Sequence, residues 1–276
     1  NILSDRNVAL GNYALASHTQ GSSIDSYNVG VGFEAGLLLT TGLENTIIGG
    51  AAGDALTDAD FNVAVGTYAL TTDTLGSKST AIGAAALNKQ NFTSATDSFN
   101  TAVGFSAGKE VTTGIYNTLI GGLAGDALTD ADNNVAVGRA ALSTDTLGSC
   151  SVAIGRNALV TQNFTSATDS FNVAVGDRAG AAVTTGTLNT LIGGLAGDAI
   201  TTGNSNVAVG YQTLSADTLG DRNVAIGLQA LMSQNFTSST DSYNTAVGYA
   251  AGLSVTTGQV NTLVGGLSGD ALTTGG

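Results

Sequence analysis

Residues 26–97, 98–169 and 170–241 are near copies of one another, and a fourth copy opens at Ser242 and runs to Gly276. Self-similarity at a fixed period is the signature of stacked repeat architectures, where each unit buries its apolar side only against its neighbour. A shorter period runs inside each copy. The pentapeptide N-[VT]-A-[VI]-G and its variants opens at residues 7, 28, 45, 62, 79, 100, 117, 134, 151, 172, 189, 206, 223, 244 and 261, in steps of 17 with every fourth step 21. Numbering columns from the first residue of the pentapeptide, glycine holds column five in all fifteen coils and asparagine holds column one in thirteen, Ser79 and Ser151 being the exceptions. Asn100, Asn117 and Asn134, with Gly104, Gly121, Gly138 and Gly155, are therefore the structural candidates. Residues 1–276 read as a single repeat domain and, opening on Asn1, as a piece of a longer protein.

The expected fold is all-β, a parallel β-solenoid or β-roll. Side chains alternate faces along a strand, so Val135 and Val137 share one face and Ala136 takes the other. Both faces are apolar, as in strands covered on both sides. Column three is alanine in ten coils and Gly30 in another, and this small-residue face is read as a close lateral contact with other copies of the chain. The exceptions Ile47, Leu119, Leu191 and Leu263 precede glycine pairs such as Gly121–Gly122, which reads as compensation for volume. A second short apolar segment (Tyr68–Ala69–Leu70, Ser106–Ala107–Gly108) and a polar return complete each coil as strand, glycine corner, strand and turn. Fifteen coils at roughly 4.8 Å each predict a rod on the order of 70 Å, with column-one amides stacked as a side-chain ladder.

The bulk composition narrows the functions. Lys and Arg total 8 against 21 acidic residues, a net charge of −13, which argues against a nucleic-acid partner because such binding neutralises phosphates with cations. No run approaches the ~20 apolar residues of a spanning helix, so membrane insertion of this segment is not expected. His18 and Cys150 are the only residues of their types; no intrachain disulfide can form, and no nucleophile–base pair can be assembled. No enzyme activity and no cofactor are expected. G-x-G sequences such as Gly30–Gly32 have no helix after them, so no phosphate cradle is read there.

Three features invite a chemical reading. Asp126, Asp130 and Asp132, like Asp54, Asp58 and Asp60, have the spacing of calcium-loop oxygen ligands, set against a solvated polar turn. The long coils opening at residues 79, 151 and 223 carry Q-N-F-T-S-[AS]-T-D-S, whose aromatics Phe92, Phe164 and Phe236 are followed, at a constant offset, by Phe99, Phe171 and Tyr243. The long coil opening at residue 7 lacks the N-F-T triplet and holds His18 instead. These pairs are candidate surface-binding residues for a sugar ring, set against a role in pinning the loop. The N-F-T triplets at Asn91, Asn163 and Asn235 match a glycosylation sequon. An ice-binding solenoid is a further class, but Thr112–Thr113, Thr129 and Thr144 fall differently in the different coils, and no unbroken threonine array is expected.

The pentapeptides 151–155 and 223–227 closely resemble the head repeats of YadA-like trimeric autotransporter adhesins. The 17-residue coil form with T-T-G in its return, as in residues 100–116 and 172–188, is similar to the N-T-A-x-G repeats of phage tail fibres. The resemblance spans nearly the whole chain. It implies a left-handed parallel β-roll with three chains about one axis, located outside the cell or on a virion. It also implies attachment to a host or surface, with a host cell-surface glycan or protein as the ligand. The coils here are longer than those of the familiar adhesin head, so their return turns must be larger, and no ligand-binding residue transfers. The alternatives are a spacer shaft without a ligand and the ice-binding solenoid.

Overall fold

The computed structural model of the chain describes residues 4–19 and 24–275. Among them there is no helix, and every strand pairing is parallel. They divide into two compact units, Asn1–Asn134 and Val135–Gly276. In the first unit the strands Val8–Leu10, Val29–Val31, Thr46–Ile48, Val63–Val65, Thr80–Ile82, Thr101–Val103 and Thr118–Ile120 pair in succession. In the second, Val135–Val137 leads a ladder of eight such strands ending at Thr262–Val264. Each strand is columns two to four of one pentapeptide, and register runs column to column: Thr101 faces Thr118, Ala102 faces Leu119, Val103 faces Ile120. Each unit is thus a parallel β-solenoid, one coil per pentapeptide.

The longer coils keep this register, Val152 facing Val173 across the larger step. Their extra length is taken up beside the main ladder, where Gly76–Ser77 pairs with Thr96–Asp97 and Gly148–Ser149 pairs with Thr168–Asp169. A longer loop can bulge at little energetic cost when both its ends stay hydrogen-bonded.

The segment after the glycine corner is not a second strand. Tyr68 and Leu70 adopt φ of 60° and 52°, the left-handed region, so the backbone curls at alternate residues rather than extending. Its N–H groups still reach neighbouring coils, Tyr68 to the carbonyl of Gly50 (3.1 Å) and Leu70 to that of Ala86 (3.0 Å). Column-five glycine is obligatory for two reasons, shown at Gly104. Its φ is 140°, a region restricted to glycine, and a Cβ there would lie 2.6 Å from the carbonyl of Gly121. Gly121, Gly138 and Gly155 share the conformation, with φ of 132°, 130° and 135°.

The strand faces the opposite way from the expectation. Column three points into the coil: Ala64, Ala81, Ala102 and Leu119 are wholly buried in the first unit, and Ala153, Ala174 and Leu191 in the second. The small column-three side chains share the interior with wholly buried leucines such as Leu70 and Leu87. Columns two and four face outward instead, with Ile82 and Ile120 39% exposed and Ile154 and Ile192 37–38% exposed. The volume compensation is real but sits elsewhere. A Cβ on Gly108 or Gly125, both at column nine, would lie 2.7 Å from Leu119. Leu119 fills the space these glycines leave, whereas a Cβ on Gly122 would meet nothing within 4 Å.

Candidate functional site

Candidate surfaces are clearest once the buried polar groups are accounted for. Column-one asparagines share the inward face with column three, and all but Asn7 and Asn261 are buried. Asn100 donates from Nδ2 to the carbonyl of Gly114 (2.7 Å), and its Oδ1 accepts the N–H of Asn117 (2.9 Å). Asn117 repeats both bonds, to Ala131 (2.7 Å) and from the N–H of Asn134 (3.0 Å). The amide closes its own coil across the interior and receives the backbone of the next. Direct amide-to-amide contact, as from Asn45 Nδ2 to Asn28 Oδ1 (3.1 Å), is secondary, so the expected amide ladder is chiefly an amide-to-backbone one.

The calcium candidates do not converge. Asp130 accepts from the hydroxyl of Thr113 (2.7 Å) and Asp132 from the N–H of Ile115 (2.7 Å). Asp126 lies at another column, its Oδ1 buried without a hydrogen-bond partner among the described residues, and burial pushes its carboxyl above the usual range. No group of three His, Cys, Asp or Glu side chains among the described residues could hold a metal ion. The spacing of oxygen ligands comes from turns whose carboxylates bind neighbouring coils instead.

The aromatic pairs are split. Phe92, Phe164 and Phe236 are buried at 4–5% exposure and are removed as receptor contacts. Phe92 is fixed by a hydrogen bond from its N–H to Asp73 Oδ1 (3.1 Å) and one from the Thr74 hydroxyl to its carbonyl (2.9 Å). Phe99, Phe171 and Tyr243 stand outside, about half exposed, at the position preceding column one. Two of these rings are engaged along the stack: Phe99 lies 5.7 Å from Tyr116 at an interplanar angle of 10°, and Lys78 Nζ lies 5.2 Å from its centroid. The Arg222 guanidinium covers Tyr243 at 5.7 Å. Covered faces leave ring edges for a ligand, so the stacking of sugar rings expected of these residues has no open face at Phe99.

This column before the asparagine is a feature the sequence reading does not extract. It carries Arg6, Tyr27, Glu44, Phe61, Lys78, Phe99, Tyr116 and Asn133 in the first unit, all with φ between 49° and 65°. Where Lys78 meets Asp97 (2.5 Å) and Arg222 meets Asp241, Cys150 Sγ lies 3.8 Å from Asp169 Oδ1. Column thirteen is another missed file. Thr40, Thr57 and Thr74 follow one another, and Thr112 precedes Thr129, but Asn91, Asn163 and Asn235 interrupt the file at the long coils opening at residues 79, 151 and 223. The threonines therefore align locally, and no unbroken array forms. The hydroxyls of Thr40 and Thr57 donate to the carbonyls of the next coil (3.1 and 3.0 Å), which withdraws them from any ordered water lattice. Aligning the returns by their distance from each asparagine finds this file.

No pocket indents the described surface, and no helix among the described residues is long and apolar enough to cross a membrane. The fold defines the class: a parallel β-solenoid whose coils come in a shorter and a longer form. No family model, curated protein or solved structure matches the chain.

Proposed function

We propose that the chain is a non-enzymatic segment of an extracellular attachment fibre, a phage tail fibre or a trimeric bacterial surface adhesin, in which three left-handed copies pack about one axis. One observation carries the reading: the outward files of β-branched side chains at columns two and four. In the second unit alone eight rungs at ~4.8 Å, with two files ~7 Å apart, make a flat, largely apolar strip of roughly 270 Å². The largest contiguous apolar patch on a single chain is often functional. The face that seeks sister chains is therefore columns two and four, and column three is reserved for the coil's own interior.

The resemblance to YadA-like head repeats and tail-fibre repeats supports the same assignment, and with it host attachment through a cell-surface glycan or protein. Sites repeated by three chains and by each long repeat would act through avidity rather than one deep pocket. The second reading, a spacer shaft without a ligand, draws on Thr113, Asp130, Phe99 and Tyr116, whose polar atoms and ring faces are engaged between neighbouring coils.

Light scattering on the purified chain tests the assembly. Three times the chain mass is expected for the parent, and one chain mass for Val175→Asp/Ile192→Asp, which places two charges at register-matched sites on the outer face. A parent that stays a soluble single chain at micromolar concentration would sink the proposal.

A further inference from the structure

Column twelve of the coil interior runs apolar, apolar, acid, amide through each long repeat. In the first unit it holds Leu39, Leu56, Asp73 and Gln90, all wholly buried. The acid–amide step recurs as Asp145–Gln162 and Asp217–Gln234, also wholly buried. Asp73 Oδ1 accepts the N–H groups of Gly76 (3.0 Å) and Phe92 (3.1 Å), and Oδ2 accepts from Gln90 Nε2 (2.6 Å). Gln90 also donates to Ser79 Oγ (2.8 Å), and its Oε1 accepts from Asn100 Nδ2 (2.9 Å). Asp145 repeats the arrangement with Gly148, Phe164 and Gln162 at 3.1, 3.1 and 2.6 Å.

We propose that this buried Asp–Gln pair is a register key, which dictates which coil stacks on which. The main ladder cannot do so by itself. The strand register, the column-five glycine and the column-one clasp are nearly the same in every coil, so a chain that skips one coil would keep its rung hydrogen bonds and merely loop that coil out. Column twelve makes that error costly. If the coil bearing Gln90 is skipped, Asp73 meets Val111 and loses its amide inside an apolar interior. If the coil bearing Asp73 is skipped, Gln90 meets Leu56. An unpaired buried charge is among the most destabilising defects a fold can carry, and fixing register is the best-attested use of a buried polar pair. Only a skip of a whole four-coil block brings an aspartate back under a glutamine, which accounts for a key placed once in every long repeat.

The test separates a key from a contact that merely adds stability. In the triple variant Gln90→Leu/Gln162→Leu/Gln234→Leu each aspartate lacks its amide in every register. The side-chain pair that sets correct apart from skipped stackings is gone, and only the backbone bonds from Phe92, Phe164 and Phe236 remain to distinguish them. The full chain is unfolded in guanidinium, refolded by dilution and read by hydrogen-exchange mass spectrometry. The parent is expected to return one protected population. The variant is expected to show a second mass envelope with fewer protected amides, the deficit matching one skipped coil, raised roughly tenfold or more over the parent. A single envelope from the refolded variant, however lowered its stability, overturns the proposal. Should the triple variant not refold, Gln162→Leu alone is read in peptides from residues 134–189. A second envelope confined there supports the key, and its absence overturns it. Neither readout depends on the trimeric fibre reading.

Discussion

Within the first unit, coils 28–61 and coils 62–99 follow the same path with different interiors. The first pair has Gly36 and Gly53 at column nine and Leu39 and Leu56 at column twelve; the second has Leu70 and Leu87 at column nine, Asp73 and Gln90 at column twelve. Column nine is left-handed in both, with φ of 59° at Gly36 and 52° at Leu70. A non-glycine residue there costs roughly 1–2 kcal/mol, while full burial of a leucine side chain contributes about 1.5–3 kcal/mol. Burial wins by a narrow margin, so leucine and glycine can both occupy the corner. The lesson is that rung hydrogen bonds, the asparagine clasp and the column-five glycine hold the backbone. The interior is free to move its apolar mass from one side of the coil to the other, provided the neighbouring coil leaves room.

The largest expected effect comes from breaking what both kinds of coil share. Gly104→Ala puts a methyl group against the Gly121 carbonyl in a conformation only glycine tolerates, and a loss of about 5 kcal/mol or more is expected in guanidinium unfolding. A midpoint within error of the parent would mean that the stacking distance is not fixed at that corner. Next is the volume exchange that distinguishes the two interiors. Leu119→Ala should cost about 2–5 kcal/mol, and Gly108→Leu about 1–3 kcal/mol through overpacking. The double variant should recover part of the sum, a coupling of about 1–3 kcal/mol; strict additivity would show that the two sites do not share one space. Asn117→Ala follows, leaving the Ala131 carbonyl and the Asn134 N–H without partners, at about 1–3 kcal/mol for each unsatisfied group. If amide exchange at Asn134 is unchanged in that variant, the clasp is not what orders the rung.

The stacking is legible because it rests on period alone: the constant step from Asn100 to Asn117 to Asn134 brings like onto like, and parallel register follows. The direction of the strand is not, because alternation says which residues share a face but not which face is inside. The deciding residue is present in Asn100 itself. It lies two positions from Ala102 and so on the same face, and an amide recurring in nearly every coil is better placed closing its own coil than facing a partner's alanine. The aromatic pairs mislead for a related reason. Phe92 precedes and Phe99 follows the strand Thr96–Asp97 that re-enters the stack, so one ring is turned in and the other out. The threonine file at Thr112 and Thr129 is hidden when the returns T-T-G and T-D-A-D are compared as motifs rather than by distance from the asparagine.

The smallest effect lies where the key is altered. His18 holds the place in its coil that Gln90 holds one long repeat later. It is buried, with Nε2 3.0 Å from Ser26 Oγ and Nδ1 without a hydrogen-bond partner among the described residues. Burial lowers its pKa below the usual imidazole value of 6.5, because the cationic form is poorly solvated there. With the folded-state value below the unfolded one, the neutral ring contributes stability fully above pH 6.5. That contribution is lost as pH falls toward the folded-state value, since the unfolded chain binds the proton first. Mild acid should therefore loosen residues 7–19 before any coil keyed by glutamine, as a drop in amide protection confined to that stretch. Gln does not titrate and already fits this place at Gln90, so His18→Gln should remove the difference between neutral and mildly acidic buffer. If protection of residues 7–19 falls equally in His18→Gln and parent, the imidazole is not the sensitive group, and the first coil differs from the others for some reason other than its key.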